Sequence, residues 1–454
     1  ATALVGTGAD AERIDVEADR LVEAGLLVEL GRDKLSRPLY STAAQIAIER
    51  KLLALAERLV RERRSAPAEE HVAELCHARG LNAEQIRAAH AATSVAAVAG
   101  VEGAAGSGKT TMLAPVVAAY RDAGMRVIGT AMAWKIATQL KDDLDILSKA
   151  TDAWIASARA GSHFLDRNTV LVVDEAGLLS SRQMHDLLSE VEKAGAKVVL
   201  VGDPKQLQAV GSGSGLEILT SVTDPTRVDS IIRQHEAWAR EAVTDFANGR
   251  AAEGLQAYSE RGLLTTGSSE KLAIRQLVDA WAATQQVLSN PATILIAKTN
   301  AQVRALNEEV RARLKASGHI LGDEITISAV TPSGHGQTLN LAMGDRIRFL
   351  ARQDGLGVIN GTTATITHID GANSRDPSIS VLIGDQFATF RPSDLADEHG
   401  RARLGHAYAS TIYGSQGLTT DHAFVLLDPS MNRHDIYVAA SRARVQTQHF
   451  LNRQ

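Results

Sequence analysis

One cysteine, Cys76, stands in a chain of 454 residues, so no internal disulfide can form, which fits a reducing compartment. With His71 and His77 nearby it makes only a weak metal-ligand pattern, and an ordinary buried or surface thiol is the simpler reading. Long apolar runs are also missing. Nowhere do about 18 uncharged apolar residues follow one another, as a membrane-spanning helix requires. The first twenty residues carry Asp10, Glu12, Asp15, Glu17 and Asp19, where a secretory leader would be basic and then apolar. Neither secretion nor membrane insertion is expected, and a cytoplasmic location is. Aromatic residues make up 4% of the chain, which limits stacking platforms, and the net charge of −5 excludes a surface that attracts nucleic acid as a whole. Any such binding must use a local groove. The chain starts at Ala1 instead of methionine, as a piece of a longer protein would.

What is present is an ordinary globular composition, 44% hydrophobic and 22% charged, without repeats or low-complexity tracts, in a length that predicts two to four packed units. Residues 1–80 read as helix, hairpin, helix: VEADRLVEAGLLVEL and AAQIAIERKLLALAERLVRERR have helical spacing, and LLVELGRDKLSRPLYST alternates around Gly31 and Pro38. That is compatible with a winged-helix-like unit and equally with a helical appendage packed on the main body. From about residue 81, compact apolar runs (SVAAVAGV, RVIGTA, TVLVVDEA, AKVVLVGD) alternate with amphipathic helices, the pattern of a doubly wound α/β domain over 81–245. A second α/β pattern occupies 246–321, from ATILIAKTN into AQVRALNEEVRARLKAS, and resumes over 401–454. Between them, 322–400 is rich in turns, including Asn360-Gly361, and in alternating runs, and is read as a small inserted β-barrel.

The chemistry concentrates in GAAGSGKT, Gly103 to Thr110, which follows an apolar run and opens a helix. A random chain of this length would match that pattern in roughly 1–2% of cases. Backbone N–H groups around Gly103, Gly106, Ser107 and Gly108, continuing to Thr111, would cradle phosphates; Lys109 would reach the β and γ groups and Thr110 would hold Mg²⁺. ATP and Mg²⁺ are the implied cofactors. The strand VLVV ends in Asp174 and Glu175, where such a sheet presents its ligands: Asp174 would position the metal through its water shell and Glu175 would polarise the attacking water. The next strand ends in GDPKQLQ, whose Gln206 could sense the terminal phosphate.

GDPKQL resembles motif III of superfamily 1 helicases, and further motifs follow in that family's order. LNAEQ, ending at Gln85, resembles the Q motif, whose amide reads the adenine edge. IRQ at 232–234 resembles motif IV, YASTIYGSQGLT at 408–419 motif V, and YVAASRAR at 437–444 motif VI. The resemblance spans roughly residues 81–450 and implies two RecA-like domains, with Arg233 and Arg442 as arginine fingers. HAYASTIYGSQGLTTDHAFVLL, with GDRIRFLARQDGLGVINGTTATI before it, is similar to the RecD-like branch, superfamily 1B, and more specifically to the helicase part of TraI/TrwC/TraA-type (MobF) conjugative relaxases. That likeness implies 5′ to 3′ travel on single-stranded DNA, duplexes with a 5′ tail as substrates and an SH3-like character for the β-rich insert, and it makes an upstream relaxase domain and conjugation or coupling proteins candidate partners. The catalytic tyrosines and three-histidine cluster of a nicking domain are not found in this sequence, so nicking is not assigned to it. By motif position, Thr130, Trp134, Lys135, Thr299, Asn300, Thr411, Ser415 and Gln416 are the candidate DNA contacts, with Arg346 and Arg348 in the insert as secondary ones. A chromosomal RecD-like repair helicase, an RNA helicase and a catalytically weak single-strand-binding module stay open beside the conjugative reading.

Lys109→Ala is expected to abolish ATP hydrolysis while leaving strand binding, measured as phosphate release alongside a filter-binding titration.

Overall fold

The computed structural model describes residues 11–32, 36, 38–209, 211–288 and 291–452. The N-terminal helix Ala11–Glu23 is followed by an antiparallel hairpin, β1 (Val28–Arg32) and β2 (Pro38–Ser41), and then by the helix Ala43–Arg61. That last helix is not free-standing. Leu52, Leu55, Ala56 and Leu59, spaced three and four apart, go into the same core as Leu187, Leu188 and Val191 of the helix Ser181–Ala194. The Cys76 thiol is buried among Val72 and Leu81, and among the described residues no group of three or more His, Cys, Asp or Glu side chains could hold a metal ion.

The first lobe is a six-stranded sheet of β3 (Val98–Gly103), β4 (Arg126–Ala131), β5 (Leu147–Ala150), β6 (Thr169–Val173), β7 (Lys197–Gly202) and β8 (Thr226–Val228), ordered β5-β4-β6-β7-β3-β8. All its pairings are parallel. β6 and β7 are buried along their whole length, which is why they read as unbroken Val/Leu runs. The helix Ser181–Ala194 begins in a Ser180/Gln183 capping box and ends at Gly195 in the left-handed region, φ +64°, so both its ends are chemically marked.

The second lobe contains β9 (Leu264–Gly267) and β10 (Thr293–Ala297). It is interrupted by the insert: β11 (Leu321–Val330), β12 (Gly336–Met343), β13 (Arg346–Phe349), β14 (Thr363–Asp370), β15 (Ser378–Ile383), β16 (Gln386–Phe390) and β17 (Leu404–His406). β18 (Ala409–Thr411), β19 (Thr420–Leu427) and β20 (Ala443–Asn452) then complete a parallel sheet ordered β18-β10-β19-β20-β9. The insert's hydrogen-bond ladders form two antiparallel sheets, β16-β15-β14-β13-β17 and β11-β12, not one closed barrel. A common core that includes Ile327, Leu341, Phe349, Ile379 and Val381 holds them together.

The insert is anchored by one buried ion pair. Arg311, on the second-lobe helix Asn300–Ala316, donates from Nε to Asp345 Oδ1 at 2.9 Å and from Nη2 to Asp345 Oδ2 at 2.9 Å. The Tyr408 hydroxyl and the Ala342 N–H also donate to this fully buried carboxylate, both at 2.8 Å, so its desolvation is offset by four donors. Among the described residues no helix is long and apolar enough to cross a membrane.

His449, on β20, is fully buried with its ring edge-on to Tyr258 at 4.4 Å, and neither ring nitrogen has a partner. Burial pulls it down to about 3, so the folded state holds it neutral while the unfolded chain protonates it below about pH 6.5. Its stabilising contribution is complete above that pH and is lost as pH falls toward 3, at no more than about 1.4 kcal/mol per pH unit. His449→Phe is expected to flatten the acid limb of a stability-versus-pH curve from urea unfolding; an unchanged slope would contradict the assignment.

Candidate functional site

A cleft of about 720 Å³ runs between the two lobes, along the carboxyl ends of the first-lobe strands. Its floor is the loop after β3. Gly106 and Gly108 take the left-handed region, φ +81° and +78°, and added Cβ atoms would lie 2.5 Å from Arg233 Cβ and from Gln85 Nε2 respectively. Glycine is therefore required by backbone sign and by space together. The helix Lys109–Asp122 starts directly from this loop, aiming its first N–H groups at the cleft. Lys109 Nζ donates to the Gly103 carbonyl at 2.8 Å, and Thr110 and Thr111 line the cleft. Ser107 Oγ is buried without a hydrogen-bond partner.

Asp174 and Glu175 follow β6. Burial, and then the charge of Glu175, push the Asp174 carboxyl well above the usual carboxylate range, with Lys109 opposing. Glu175 is a non-glycine residue in the left-handed region, φ +48°, the local strain common at working sites. Gln206 is buried; its Nε2 donates to Asp203 Oδ2 at 3.2 Å, and its Oε1 has no donor. From the far wall come Arg233 and Arg442. Arg233 Nη1 donates to the Ser441 carbonyl at 2.9 Å, and Arg442 donates to the carbonyls of Val438 at 2.9 Å and Leu418 at 3.3 Å. Burial is the main force lowering both guanidiniums, and Arg442 adds its repulsion to Arg233. Both still carry charge at neutral pH. The structure thus brings Lys109, Thr110, Asp174, Glu175, Gln206, Arg233 and Arg442 to one cleft. Thr110 and Asp174 fit a Mg²⁺ that takes its other ligands from phosphate oxygens and water, the usual habit of this ion.

Gln85 lies against the phosphate loop. Its carbonyl oxygen accepts from the Asn82 N–H at 3.1 Å in a helix capping box, and its Nε2 donates to the Ser107 carbonyl at 2.9 Å. Each end of the amide makes one bond, the oxygen to the helix cap and the nitrogen to the phosphate loop.

The candidate DNA contacts divide. Asn300 and Thr411 line a separate groove of about 390 Å³ between the helix Asn300–Ala316 and the insert, together with Arg304, Arg348 and His406. Thr299 is exposed beside it, its hydroxyl capping that helix. Arg346 is exposed on β13. Trp134 is half-buried at the start of the helix Trp134–Leu144, with the Arg352 guanidinium 4.7 Å from its ring centroid. Lys135 lines the nucleotide-sized cleft instead, and burial, then Arg348, lower its pKa. Thr130 cannot meet a strand: it is fully buried, with its hydroxyl engaged by the Lys149 carbonyl and the Thr151 hydroxyl. Ser415 is likewise fully buried, donating to the Ile412 carbonyl at 2.7 Å. Gln416 is a third correction; its amide points into the cleft, 3.4 Å from Glu175 Oε2. A spacing motif gives the loop but not the direction of each side chain.

Two cleft-side groups were not singled out from the sequence: Asp203, which orients Gln206, and Tyr437, hydrogen-bonded to Asp203. The available signal was the acid ending β7, which occupies the same kind of strand end as Asp174.

Fold and cleft together define a two-lobed α/β P-loop protein. Residues 80–269 match the family model described as an AAA domain. The chain is 33% identical over 364 residues to the probable conjugal transfer protein TraA of Sinorhizobium fredii, covering 80% of this chain and 32% of that protein. It is also 33% identical over 368 residues to conjugal transfer protein TraA of Agrobacterium fabrum, covering 81% and 32%. The chain therefore spans about a third of the length of the curated relatives it matches. Among solved structures it is similar to a Pif1 helicase at forked double-stranded DNA, with TM-score 0.54, 19% identity and coverage of 82% of this chain and 92% of that one. The Pif1 helicase of Candida albicans gives TM-score 0.52, 17% identity and coverage of 82% and 95%. At such identities the likeness establishes the fold.

Gly106→Ala is expected to weaken ATP binding about tenfold or more, because the new Cβ must displace the Arg233 segment. Gly124→Ala serves as the control: it shares a positive φ, +77°, but has nothing within 4 Å. A fluorescent-nucleotide titration separates them, and equal affinities for the two variants would sink the steric explanation.

Proposed function

We propose that this chain is an ATP- and Mg²⁺-dependent motor that moves 5′ to 3′ on single-stranded DNA, the helicase part of a conjugative DNA-transfer protein. The observation that carries the reading is the meeting of Lys109, Asp174 and Glu175 from one lobe with Arg442 from the other, and with Arg233 from the segment between them, in one cleft. Two buried guanidiniums that repel each other, facing a lysine at a helix N-terminus, suit a bound polyphosphate, whose charge would relieve all three.

In this reading the loop N–H groups and Lys109 bind the β and γ phosphates, and Glu175 takes the proton of the attacking water. Gln206 senses the terminal phosphate, and Arg233 and Arg442 stabilise charge that spreads over the γ oxygens, an effect worth about 10³ to 10⁵ in rate. Thr110 and, through water, Asp174 would hold a Mg²⁺, which would neutralise phosphate charge. After hydrolysis the arginines lose their partner, the lobes part, and grip on a strand alternates between them. The strand would lie against Trp134 on the first lobe and against Thr299, Asn300, Arg348 and Thr411 on the second, held mainly through phosphates and so sensitively to salt. The conjugative role is supported by the TraA relatives, which are conjugal transfer proteins with about two thirds of their length outside the match; a relaxase domain and coupling proteins would be its partners in that role.

The test is steady-state ATP hydrolysis with and without single-stranded DNA, beside unwinding of duplexes carrying a 5′ or a 3′ tail. Strong stimulation with unwinding from the 5′ tail alone is expected. Unwinding from the 3′ tail would overturn the polarity, and hydrolysis indifferent to DNA would overturn the motor.

A further inference from the structure

Tyr437 lies on the second-lobe helix Arg433–Ala440 and is fully buried, yet its hydroxyl reaches two separate parts of the first lobe. It accepts from the backbone N–H of Ala105, inside the phosphate loop, at 2.7 Å. It also sits 2.7 Å from Asp203 Oδ2, at the end of β7. A phenol has a single proton, and an N–H can only donate, so that proton must point to Asp203. The same carboxylate oxygen accepts from Gln206 Nε2 at 3.2 Å, and Asp203 Oδ1 accepts from the Lys205 N–H at 2.9 Å. Asp203 is thereby held from three sides, and it in turn fixes which end of the Gln206 amide is free. The free end is Oε1, buried and without a donor, on a residue that lines the cleft.

We infer that Tyr437 is a positioning residue that couples closure of the second lobe to the orientation of Gln206. This rests on the reading of the cleft as an ATP-hydrolysing site. The helix that carries Tyr437 runs directly into Ser441 and Arg442, so any movement of the arginine relative to the first lobe moves the phenol too. When the lobes are closed, Ala105, Tyr437, Asp203 and Gln206 form one hydrogen-bonded chain from the phosphate loop to the sensor amide. When they part, the Ala105 N–H and Asp203 each lose a partner and Gln206 loses the group that steadies its carboxylate anchor. Lobe position is thus converted into the pose of a single amide oxygen, which can accept a hydrogen bond from the attacking water.

Tyr437→Phe keeps the ring in its packing and removes only the hydroxyl. In the full chain, single-strand-stimulated kcat for ATP is expected to fall about tenfold while KM for ATP stays at the wild-type value and the melting temperature falls by no more than about 4 °C, the cost of one buried hydrogen bond. A group that merely supported the fold would lower the melting temperature and leave kcat unchanged, or raise KM. Asp203→Ala and the double variant complete a cycle in which the double is no slower than the slower single, since both act through one chain. A wild type stimulated by DNA beside an equally stimulated Tyr437→Phe would overturn the coupling alone, as would strictly additive losses in the cycle. A wild type that does not hydrolyse ATP in response to DNA would overturn the coupling and the reading beneath it together.

Discussion

The segment Ile232 to Gln234 is threaded between the lobes and bonded to both, and the site depends on that seam. The backbone N–H groups of Ile232 and Arg233 both donate to the Gly106 carbonyl, at 2.9 and 3.1 Å. On the other side, Gln234 Nε2 donates to the carbonyls of Ser441 at 3.3 Å and Ala443 at 2.9 Å, beside the bond from Arg233 to Ser441. Each bond contributes only about 1 kcal/mol net, but together they close a ring with the Tyr437 contact to Ala105. Ala105 itself is packed in a second-lobe core cluster with Phe246 and Tyr437. The phosphate loop is in this sense shared property of two lobes that otherwise have separate cores.

The electrostatics of the cleft follow from that seam. Closing it buries Arg233 and Arg442 near each other, and Asp174 and Glu175 are chain neighbours after β6, so like charges are held together on both walls. Such an arrangement is costly alone and favourable around a polyphosphate with its metal, whose charges have the opposite order. The left-handed backbone at Glu175 belongs to the same pattern of local strain tolerated where chemistry is done.

One helical turn connects this cleft to the surface proposed for the strand. In the helix Trp134–Leu144, Lys135, Ile136 and Gln139 line the cleft, whereas Trp134 faces the insert and is covered by Arg352. Gly417, on the other lobe, leaves room for Ile136; a Cβ there would lie 3.3 Å from its side chain. The helix that carries Trp134 therefore touches the other lobe at the cleft. The insert is tied in turn to the second lobe by the buried Arg311–Asp345 pair, so it moves with that lobe.

Local chemistry was enough to read the two α/β units, the β-rich interruption, the phosphate loop and the acids after β6, because each depends on near neighbours: a buried strand must be apolar, and a loop that wraps phosphate needs Gly106 and Gly108 where φ is positive; the ordered motifs were legible only through family resemblance. The direction of individual side chains was not legible. Thr130 and Ser415 satisfy their own hydroxyls inside the protein, Gln85 supports the loop, and Gln416 faces Glu175, because burial and the nearest partner decide those poses. The two-sheet form of the insert, and its anchorage through Asp345, came from pairings between strands far apart in the chain. Tyr437 is the clearest case: 332 residues separate it from Ala105, and only folding brings the phenol and the N–H within hydrogen-bond reach. The sequence by itself determined which groups could do phosphate chemistry; the tertiary structure decided which of them meet, since a hydrogen bond acts over about 3 Å and spacing along a chain does not measure that distance.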